Sequence, residues 1–225
     1  MGTVHLLQPW LVFDLGREMQ VLSWAINRPG FAMANRIVWR EVRNADLPVD
    51  LDVRDWFSQQ LSTQNYTDAI AFITSRDVSC FTRHTAQVGE ISAQCIATVG
   101  LSNAERIGHR VDRSTQDWGT INIAVRLNVP LSQTGLIEAL SIATQARTAA
   151  VIDAAVMLET GVATGTGTDC IAIAAPAGPQ DYAGLHTDLG EAVGAAVYAA
   201  VKEGADSWKS SVGRLIEAQR ATANP

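Results

Sequence analysis

The sequence lacks the short motifs that mark the commonest enzyme sites. Its 225 residues contain no GxxxxGK[ST] phosphate loop, no GxSxG nucleophile elbow and no HExxH or HxH metal motif. The four histidines are scattered and the three cysteines form no CxxC pair. We therefore expect neither a structural zinc site nor a disulfide framework. Cys95 and Cys170 lie in apolar runs, as inert core cysteines usually do.

Charge is also scarce, since Asp, Glu, Lys and Arg make up 18% of the chain and the net charge is −6. No Lys/Arg cluster is present, and nucleic-acid binding needs a basic face, so we expect no nucleic-acid partner. The N-terminus has no basic leader, and the uncharged stretch at residues 170–180 contains two prolines and is too short to cross a bilayer. The expected location is cytoplasmic, away from any membrane.

The first half of the chain reads mainly as strands. Aromatic and branched residues between polar turns predict strands at residues 10–14, 20–26, 36–42 and 69–74, with a turn at 27–30. Asp52 is the predicted N-cap of a helix that runs to about Gln64. Clear alternation predicts two further strands, at residues 91–99 and 120–127, with Thr120 and Asn122 on the polar face of the second.

The second half is richer in helices. Ser132 or Thr134 is the predicted cap of a long helix that continues to about Glu159, before Gly161 stops it. A strand is expected at residues 169–175, then a helix capped by Asp188 that runs through Glu203, and a final amphipathic helix at 207–221. Strands and helices mix without strict βαβ alternation. The pattern predicts a single α+β (mixed α/β) domain over residues 1–225, with sheet packed against helices.

Four segments that mix glycine with small polar residues lie beside predicted strands, at residues 98–104, 119–123, 163–169 and 182–187. Glycine lets the backbone approach a ligand closely, and Thr, Ser and Asn supply short donors and acceptors. Segment 163–169 is the densest, with three threonines, two glycines and Asp169. We expect these segments to fold together and to line one cleft.

Each of these features also has a purely structural interpretation. The loop 163–169 can be a tight turn whose threonines bond their own backbone. Asn103 can be a turn residue, Asn122 can pair with a neighbouring strand, and His186 can be a surface or capping residue. Tryptophan is typical of a core, and the first third of the chain has four: Trp10, Trp24, Trp39 and Trp56. Taken singly, no segment identifies a function.

Taken together, the segments resemble the adenosylcobinamide amidohydrolase (CbiZ) family. The likeness is carried by GLSNAERIG (100–108), GTINI (119–123), IATQARTAA (142–150), ATGTGTD (163–169) and YAGLHTDLGEAVGAAV (182–197), in that order and spacing. It extends over roughly residues 20–201. The N-terminal segment 23–30 matches less well, because Trp24, Arg28 and Pro29 depart from the family's pattern.

The resemblance implies hydrolysis of the amide that joins aminopropanol to the corrin ring of adenosylcobinamide, giving adenosylcobyric acid. A complete cobamide such as adenosylpseudocobalamin is an alternative substrate. The cobalt then belongs to the substrate, and no cofactor is expected. A corrinoid-binding protein without catalysis, or a hydrolase or peptidase of a related fold that cleaves its own chain, remain alternatives, and a homo-oligomer is left open.

Amide hydrolysis requires a nucleophile, stabilisation of an oxyanion and protonation of the leaving amine. The nucleophile is a hydroxyl of Thr166 or Thr168, or a water held by Asp169 and His186. We choose Asp169 among the carboxylates because it ends the glycine loop and begins a buried strand, where a charge needs a partner.

The oxyanion hole is formed by the side-chain amide of Asn103 or Asn122, or by the backbone N–H groups of Gly165 and Gly167. We expect the substrate to contact the small polar residues and glycines of these segments and two residues of the N-terminal turn: Ser102, Thr120, Asn122, Thr164, Gly165, Gly167, Trp24 and Asn27.

Overall fold

The apolar and alternating runs of the first half form strands. The computed structural model describes residues 1–48, 50–109 and 119–214 of the chain. Before residue 100 the strands are β1 (Thr3–Leu7), β2 (Trp10–Ser23), β3 (Gly30–Glu41), β4 (Ile70–Thr74), β5 (Thr82–Val88) and β6 (Ile91–Val99). Helix α1 (Val53–Thr63) begins after Asp52, whose carboxylate accepts from the Arg54 and Asp55 amides, as predicted. Short 3₁₀ turns lie at Asn44–Asp46 and Val78–Cys80.

The second half contains two long helices between short strands. α2 (Gln133–Asp153) is capped by Ser132 and α3 (Asp188–Trp208) by Thr187, and a π-helical turn (Lys209–Gly213) follows α3. The strands are β7 (Ala104–Glu105), β8 (Ile121–Leu127), β9 (Met157–Leu158), β10 (Gly161–Val162), β11 (Gly165–Thr166) and β12 (Cys170–Ala175). The mixed α+β class predicted from the sequence is confirmed.

The large sheet has the strand order β4-β3-β2-β12-β8-β6-β5, and β1 pairs with β2. The pairs β3/β4 and β12/β8 are parallel, and the other pairs in this sheet are antiparallel. β12 is therefore a central strand, although it comes late in the chain. The small pairs β9/β10 and β7/β11 lie outside this sheet.

The sheet curls until its two halves face each other. Asn122 Nδ2 on β8 donates to Ile73 O on β4 at 2.8 Å, although three strands separate β8 from β4 in the sheet. In a flat sheet that separation would be about 19 Å, since neighbouring strands lie about 4.8 Å apart. The curl encloses an apolar core that includes Phe13, Trp39 and Phe72.

Helices cover the outer faces of the curled sheet. α2 and α3 pack on the face of β6, β8 and β12. Of the alternating residues predicted to share this face, Ile91 is partly buried and the others are buried: Ala93, Cys95, Ala97, Val99, Ile121, Ile123, Val125 and Leu127. α1 packs on the other outer face through Phe57 and Leu61. Among the residues that the structure describes, no helix is both long enough and apolar enough to cross a membrane.

Two predicted strand and helix boundaries were wrong. The strands predicted at 10–14 and 20–26 are one strand, β2, which contains a register shift between Asp14 and Met19 where Gly16 has a φ of +76°. α2 ends at Asp153 rather than near Glu159, because Ala155 takes a left-handed φ of +53° just after the C-cap. Gly161 instead begins β10, directly after the two-residue turn of the β9/β10 hairpin, with a φ of +112°.

The start and the end of α3 also differ from the prediction. The N-cap is Thr187, whose hydroxyl accepts from Gly190 N at 2.9 Å, so Asp188 is the first helical residue rather than the cap. The helix runs past Glu203 to Trp208 because Ala205 and Trp208 continue its buried stripe. The separate helix predicted at 207–221 does not begin there, and its residues beyond 214 lie outside the described ranges.

Candidate active site

Three of the four polar-glycine segments converge at one end of the curled sheet. Gly100 N donates to Thr120 O at 2.9 Å, which joins the first segment to the start of β8. β7 pairs with β11, so Ala104 lies opposite Thr166. The loop after β11 then leads into β12, which is parallel to β8. The chain thus brings residues 100–105, 119–122 and 164–169 together, as the predicted cleft requires.

Asp169 is the centre of this convergence. Its side chain is 7% exposed and accepts from Arg147 Nη1 at 2.5 Å, Ile121 N at 3.2 Å and Thr166 N at 3.1 Å. The Thr166 hydroxyl also donates to Asp169 Oδ1. A carboxylate has about four acceptor positions, and these donors occupy them. The carboxylate therefore fixes the loop, β8 and α2 relative to one another.

Two opposing effects act on this carboxyl group. Burial raises the pKa of Asp169, and the Arg147 guanidinium, the Thr166 hydroxyl and amide, and the Ile121 amide act in the opposite direction. Burial is the larger influence, so Asp169 takes up a proton more readily than an exposed aspartate does. A carboxylate with this property can accept the proton of a hydroxyl that it already holds.

Arg147 was missing from the predicted site residues. It projects from α2, is 14% exposed, and donates to Thr164 O at 3.1 Å as well as to Asp169. A Cβ on Gly165 would lie 1.8 Å from Arg147 Nη1 and 2.7 Å from Asp169 Oδ2, so this position must be glycine for the ion pair to form. One signal was visible in the sequence. Arg147 interrupts an apolar stripe of the predicted helix, and a charged side chain on a buried face indicates a buried group of opposite charge beside it.

The remaining threonines attach the loop to β8. Thr168 Oγ1 donates to Gly119 O at 3.1 Å, and Thr120 Oγ1 donates to Thr168 O at 2.8 Å. The Asn122 amide is 1% exposed and is bonded to Ile73 O, as described above. These two hydroxyls and this amide donate hydrogen bonds to backbone carbonyls, whereas the Thr166 hydroxyl donates to a carboxylate.

Asn103 lies against the same strand start. A Cβ on Gly119 would be 2.9 Å from Asn103 Oδ1 and 2.8 Å from Ser102 N, so the two segments are in close contact. Asn103 is 9% exposed, and its Oδ1 has no hydrogen-bond partner in the described part of the chain. A buried acceptor without a partner is costly, which makes Asn103 a candidate for contact with a ligand donor.

A cleft of about 330 Å³ opens beside Asp169. Trp24 Nε1 donates to Asp169 O at 2.8 Å on one side, and Ile107 N donates to Thr164 Oγ1 at 2.8 Å on the other. The cleft contains six predicted residues together with five that were not predicted, and its lining is Trp24, Glu105, Arg106, Ile107, Arg147, Thr148, Thr164, Gly165, Thr166, Gly167 and Asp169.

The structure does not bring His186 to this cluster. His186 is exposed and precedes α3, whose Asp188 Oδ2 lies 3.3 Å from the Cβ position of Gly89, in the turn between β5 and β6. β6 then runs nine residues to Val99 at the cleft end of the sheet. At about 3.3 Å per residue the two ends are roughly 26 Å apart.

Asn27 also lies elsewhere. Its Nδ2 donates to Ala69 O at 2.8 Å and its Oδ1 accepts from Ala71 N at 3.0 Å, so the side chain pairs with the β4 backbone. It lines a separate cavity beside α1 rather than the cleft at Asp169.

The described residues favour neither a cysteine nucleophile nor a metal site. Cys170 follows Asp169, and burial raises the pKa of its thiol to about 12, so it stays protonated at neutral pH and is a poor nucleophile. Burial also raises the pKa of Cys95. Residues 1–48, 50–109 and 119–214 contain no group of three or more His, Cys, Asp or Glu side chains placed to hold a metal ion.

Comparison with protein-family models gives a match. The family model described as CbiZ, adenosylcobinamide amidohydrolase, matches residues 3–213, which is nearly the whole chain and includes every segment of the cleft. No curated protein sequence matches the chain.

Proposed function

The chain belongs to the adenosylcobinamide amidohydrolase family, and from this membership we propose that it hydrolyses the aminopropanol amide of adenosylcobinamide to adenosylcobyric acid. Water adds across the C–N bond, so the products are a carboxylic acid and free aminopropanol. The observation that supports this proposal most strongly is the hydrogen bond from the Thr166 hydroxyl to the buried Asp169 carboxylate, at the wall of the cleft.

Thr166 is the nucleophile in this proposal. Its hydroxyl is the threonine hydroxyl of the loop that donates to a carboxylate, whereas that of Thr168 donates to a backbone carbonyl. A directly attacking water is a weaker candidate, because Asp169 already accepts four hydrogen bonds from protein donors. Asp169 is the base in this proposal because its carboxylate already accepts a hydrogen bond from the Thr166 hydroxyl.

The reaction then has two halves. Thr166 Oγ1 attacks the amide carbon while its proton passes to Asp169, and that proton leaves with aminopropanol as the C–N bond breaks. Water next attacks the resulting ester and gives a proton to Asp169. When the ester bond breaks, the Thr166 oxygen recovers that proton and adenosylcobyric acid is released. Atoms and protons balance over the cycle.

Two groups remain to stabilise the negative oxygen of the tetrahedral intermediate. Gly167 lines the cleft, and the position of a Cβ on it meets no atom within 4 Å, so a substrate carbonyl can approach its backbone. The Arg147 guanidinium lines the same cleft and supplies positive charge. Asn122 is less suited to this role because its amide is already bonded to Ile73 O.

The direct test is incubation of the purified chain with adenosylcobinamide, with aminopropanol and adenosylcobyric acid measured as products. Adenosylcobinamide phosphate and adenosylpseudocobalamin serve as parallel substrates that define which amide the chain prefers. Binding without release of aminopropanol would instead identify a corrinoid-binding protein. Two fragments on a denaturing gel, rather than one intact chain, would favour a self-cleaving peptidase.

A second measurement tests the nucleophile. Acid quenching during turnover should trap a covalent species whose mass exceeds that of the chain by one cobyric acyl group, attached at Thr166. Thr166→Val should give no such species. If the active enzyme never accumulates it, and aminopropanol appears without a burst, the water mechanism is preferred.

A further inference from the structure

Two apolar side chains stand exposed at the mouth of an otherwise polar cleft. Trp24 is 45% exposed and Ile107 is 83% exposed, and both line the cleft at Asp169. Both residues are bonded to the threonine loop: the Trp24 indole N–H donates to Asp169 O, and the backbone N–H of Ile107 donates to Thr164 Oγ1. We call these two side chains the apolar rim.

The hydrogen bond of Trp24 determines what this side chain offers to a ligand. Its indole N–H is already satisfied by Asp169 O at 2.8 Å, so the exposed part of the ring is apolar carbon held in one orientation. A fixed aromatic surface loses little side-chain entropy when a ligand covers it. Such a surface suits a wide, flat and largely apolar partner.

The size of the cleft separates two parts of the substrate. Its volume of about 330 Å³ lies near the lower end, about 300 Å³, of sites that enclose small molecules. It accommodates an aminopropanol amide arm, but a corrin macrocycle with its substituents is too large to enter with it. The macrocycle therefore remains outside, against whatever surface surrounds the mouth.

We propose that the apolar rim is the seat of the corrin macrocycle, with Trp24 and Ile107 holding the ring while its amide arm reaches Thr166. This inference rests on the proposed function and adds to it the residues that determine ring affinity. Because both rim residues are bonded to the threonine loop, seating the ring also places the arm relative to Asp169.

The test measures equilibrium binding in the Thr166→Val background, so that turnover does not interfere. Trp24→Ala and Ile107→Ser should each weaken adenosylcobinamide binding by about tenfold, because each removes an apolar contact of the ring. Trp24→Phe keeps an aromatic face and should stay within about threefold. Leu185→Ser is the matched control, since Leu185 is similarly apolar, 69% exposed and absent from the cleft lining, and it should have no effect.

A small amide without the ring sharpens the result. N-(2-hydroxypropyl)acetamide carries the scissile amide and the amino alcohol alone, so its dissociation constant in the Thr166→Val background should be the same with and without the rim substitutions. Unchanged corrinoid binding in Trp24→Ala and Ile107→Ser would overturn the proposal. Equal weakening of the small amide would also overturn it, because the variants would then have damaged the cleft itself. A dimer of the wild-type chain that is lost in Trp24→Ala would assign the rim to a second copy, and would overturn it too.

A separate experiment tests the proposed function. If the wild-type chain releases no aminopropanol from adenosylcobinamide, the proposed function is wrong, and the binding experiment does not depend on that measurement.

Discussion

Two cavities of the same volume, about 330 Å³ each, differ in what their walls can do. The cavity beside α1 contains Arg28 and Arg54, which donate to backbone carbonyls and so serve the local chain. The cleft at the sheet end contains Asp169, buried to 7% exposure and paired with Arg147 at 2.5 Å. Volume does not distinguish the two. The cleft at the sheet end differs in having a buried carboxylate that accepts a hydrogen bond from a hydroxyl, an arrangement that can activate a nucleophile.

The largest expected effect comes from removing either member of the hydroxyl–carboxylate pair. Thr166→Val and Asp169→Asn should each lower kcat at least about a hundredfold, in the range of about 3 kcal/mol that a positioned catalytic group contributes. Thr166→Ser should retain much of the activity, and Thr168→Val should lose only about tenfold, because the Thr168 hydroxyl donates to Gly119 O. Steady-state kinetics with adenosylcobinamide as the substrate measure these changes in kcat. Wild-type rates in Thr166→Val would rule out this cleft as the place of reaction.

The next effect is on pH dependence. Burial raises the pKa of Asp169 above its ordinary 3.8, so activity that needs the carboxylate should fall as pH drops through that raised value. Arg147→Met removes the main opposing charge, raises the pKa further and should move the acidic limb of kcat/KM to higher pH. Arg147→Lys keeps a charge and should move it less. An acidic limb that stays in place in Arg147→Met would contradict the pairing.

The raised pKa of Asp169 also makes stability depend on pH, in the direction opposite to activity. Because the folded pKa of Asp169 is raised, its contribution to stability is fully present below the unfolded value and is lost as pH rises through the folded one. Arg147→Met should widen that window towards higher pH. Denaturant unfolding at several pH values measures it.

A smaller effect is expected at the glycines of the loop. Gly165→Ala should cost about 1–3 kcal/mol of stability, because the new Cβ would displace the Arg147 guanidinium. Gly167→Ala is the matched control: its Cβ would meet no atom within 4 Å, and the free energy of unfolding should change by less than about 0.5 kcal/mol. Equal losses in the two variants would mean that the ion pair does not depend on this close approach.

The smallest effects belong to the other cavity and to the far end of the sheet. Arg54→Ala, in α1, and His186→Ala, before α3, should each leave kcat/KM within about twofold of wild type, because neither residue lines the cleft. A large loss in Arg54→Ala would move the functional assignment towards the α1 cavity. A large loss of kcat/KM in His186→Ala would mean that a base outside the cleft at Asp169 takes part in the reaction.

Local signals predicted most of the elements. Alternation gave β6 and β8 with the buried face that is seen, and Asp52 and Ser132 cap α1 and α2 as expected. The end of α2 was missed because its left-handed residue is Ala155 rather than a glycine. Propensity marks glycine there, and only tertiary context favours alanine.

The candidate site was predictable in part for a related reason. The convergence of the Asn103 and Thr166 segments was expected, because both lie beside strands of one sheet. The place of His186 was not, because it depends on which end of the sheet each loop leaves from. Ile107 was not identified because its role comes from a contact across the fold that its sequence neighbours do not reveal. Arg147 interrupts the apolar stripe of α2, but that signal does not say which partner it meets.

The position of β12 has a consequence for biosynthesis. This strand lies between β2 and β8, so a nascent chain that ends before Cys170 leaves the sheet in two separate halves. Asp169 directly precedes this strand, and its carboxylate reaches its partners only when the strand is inserted. Insertion of β12 therefore completes the sheet and assembles the Asp169 site in the same step. We expect a chain that ends before Cys170 to have neither a complete sheet nor amidohydrolase activity.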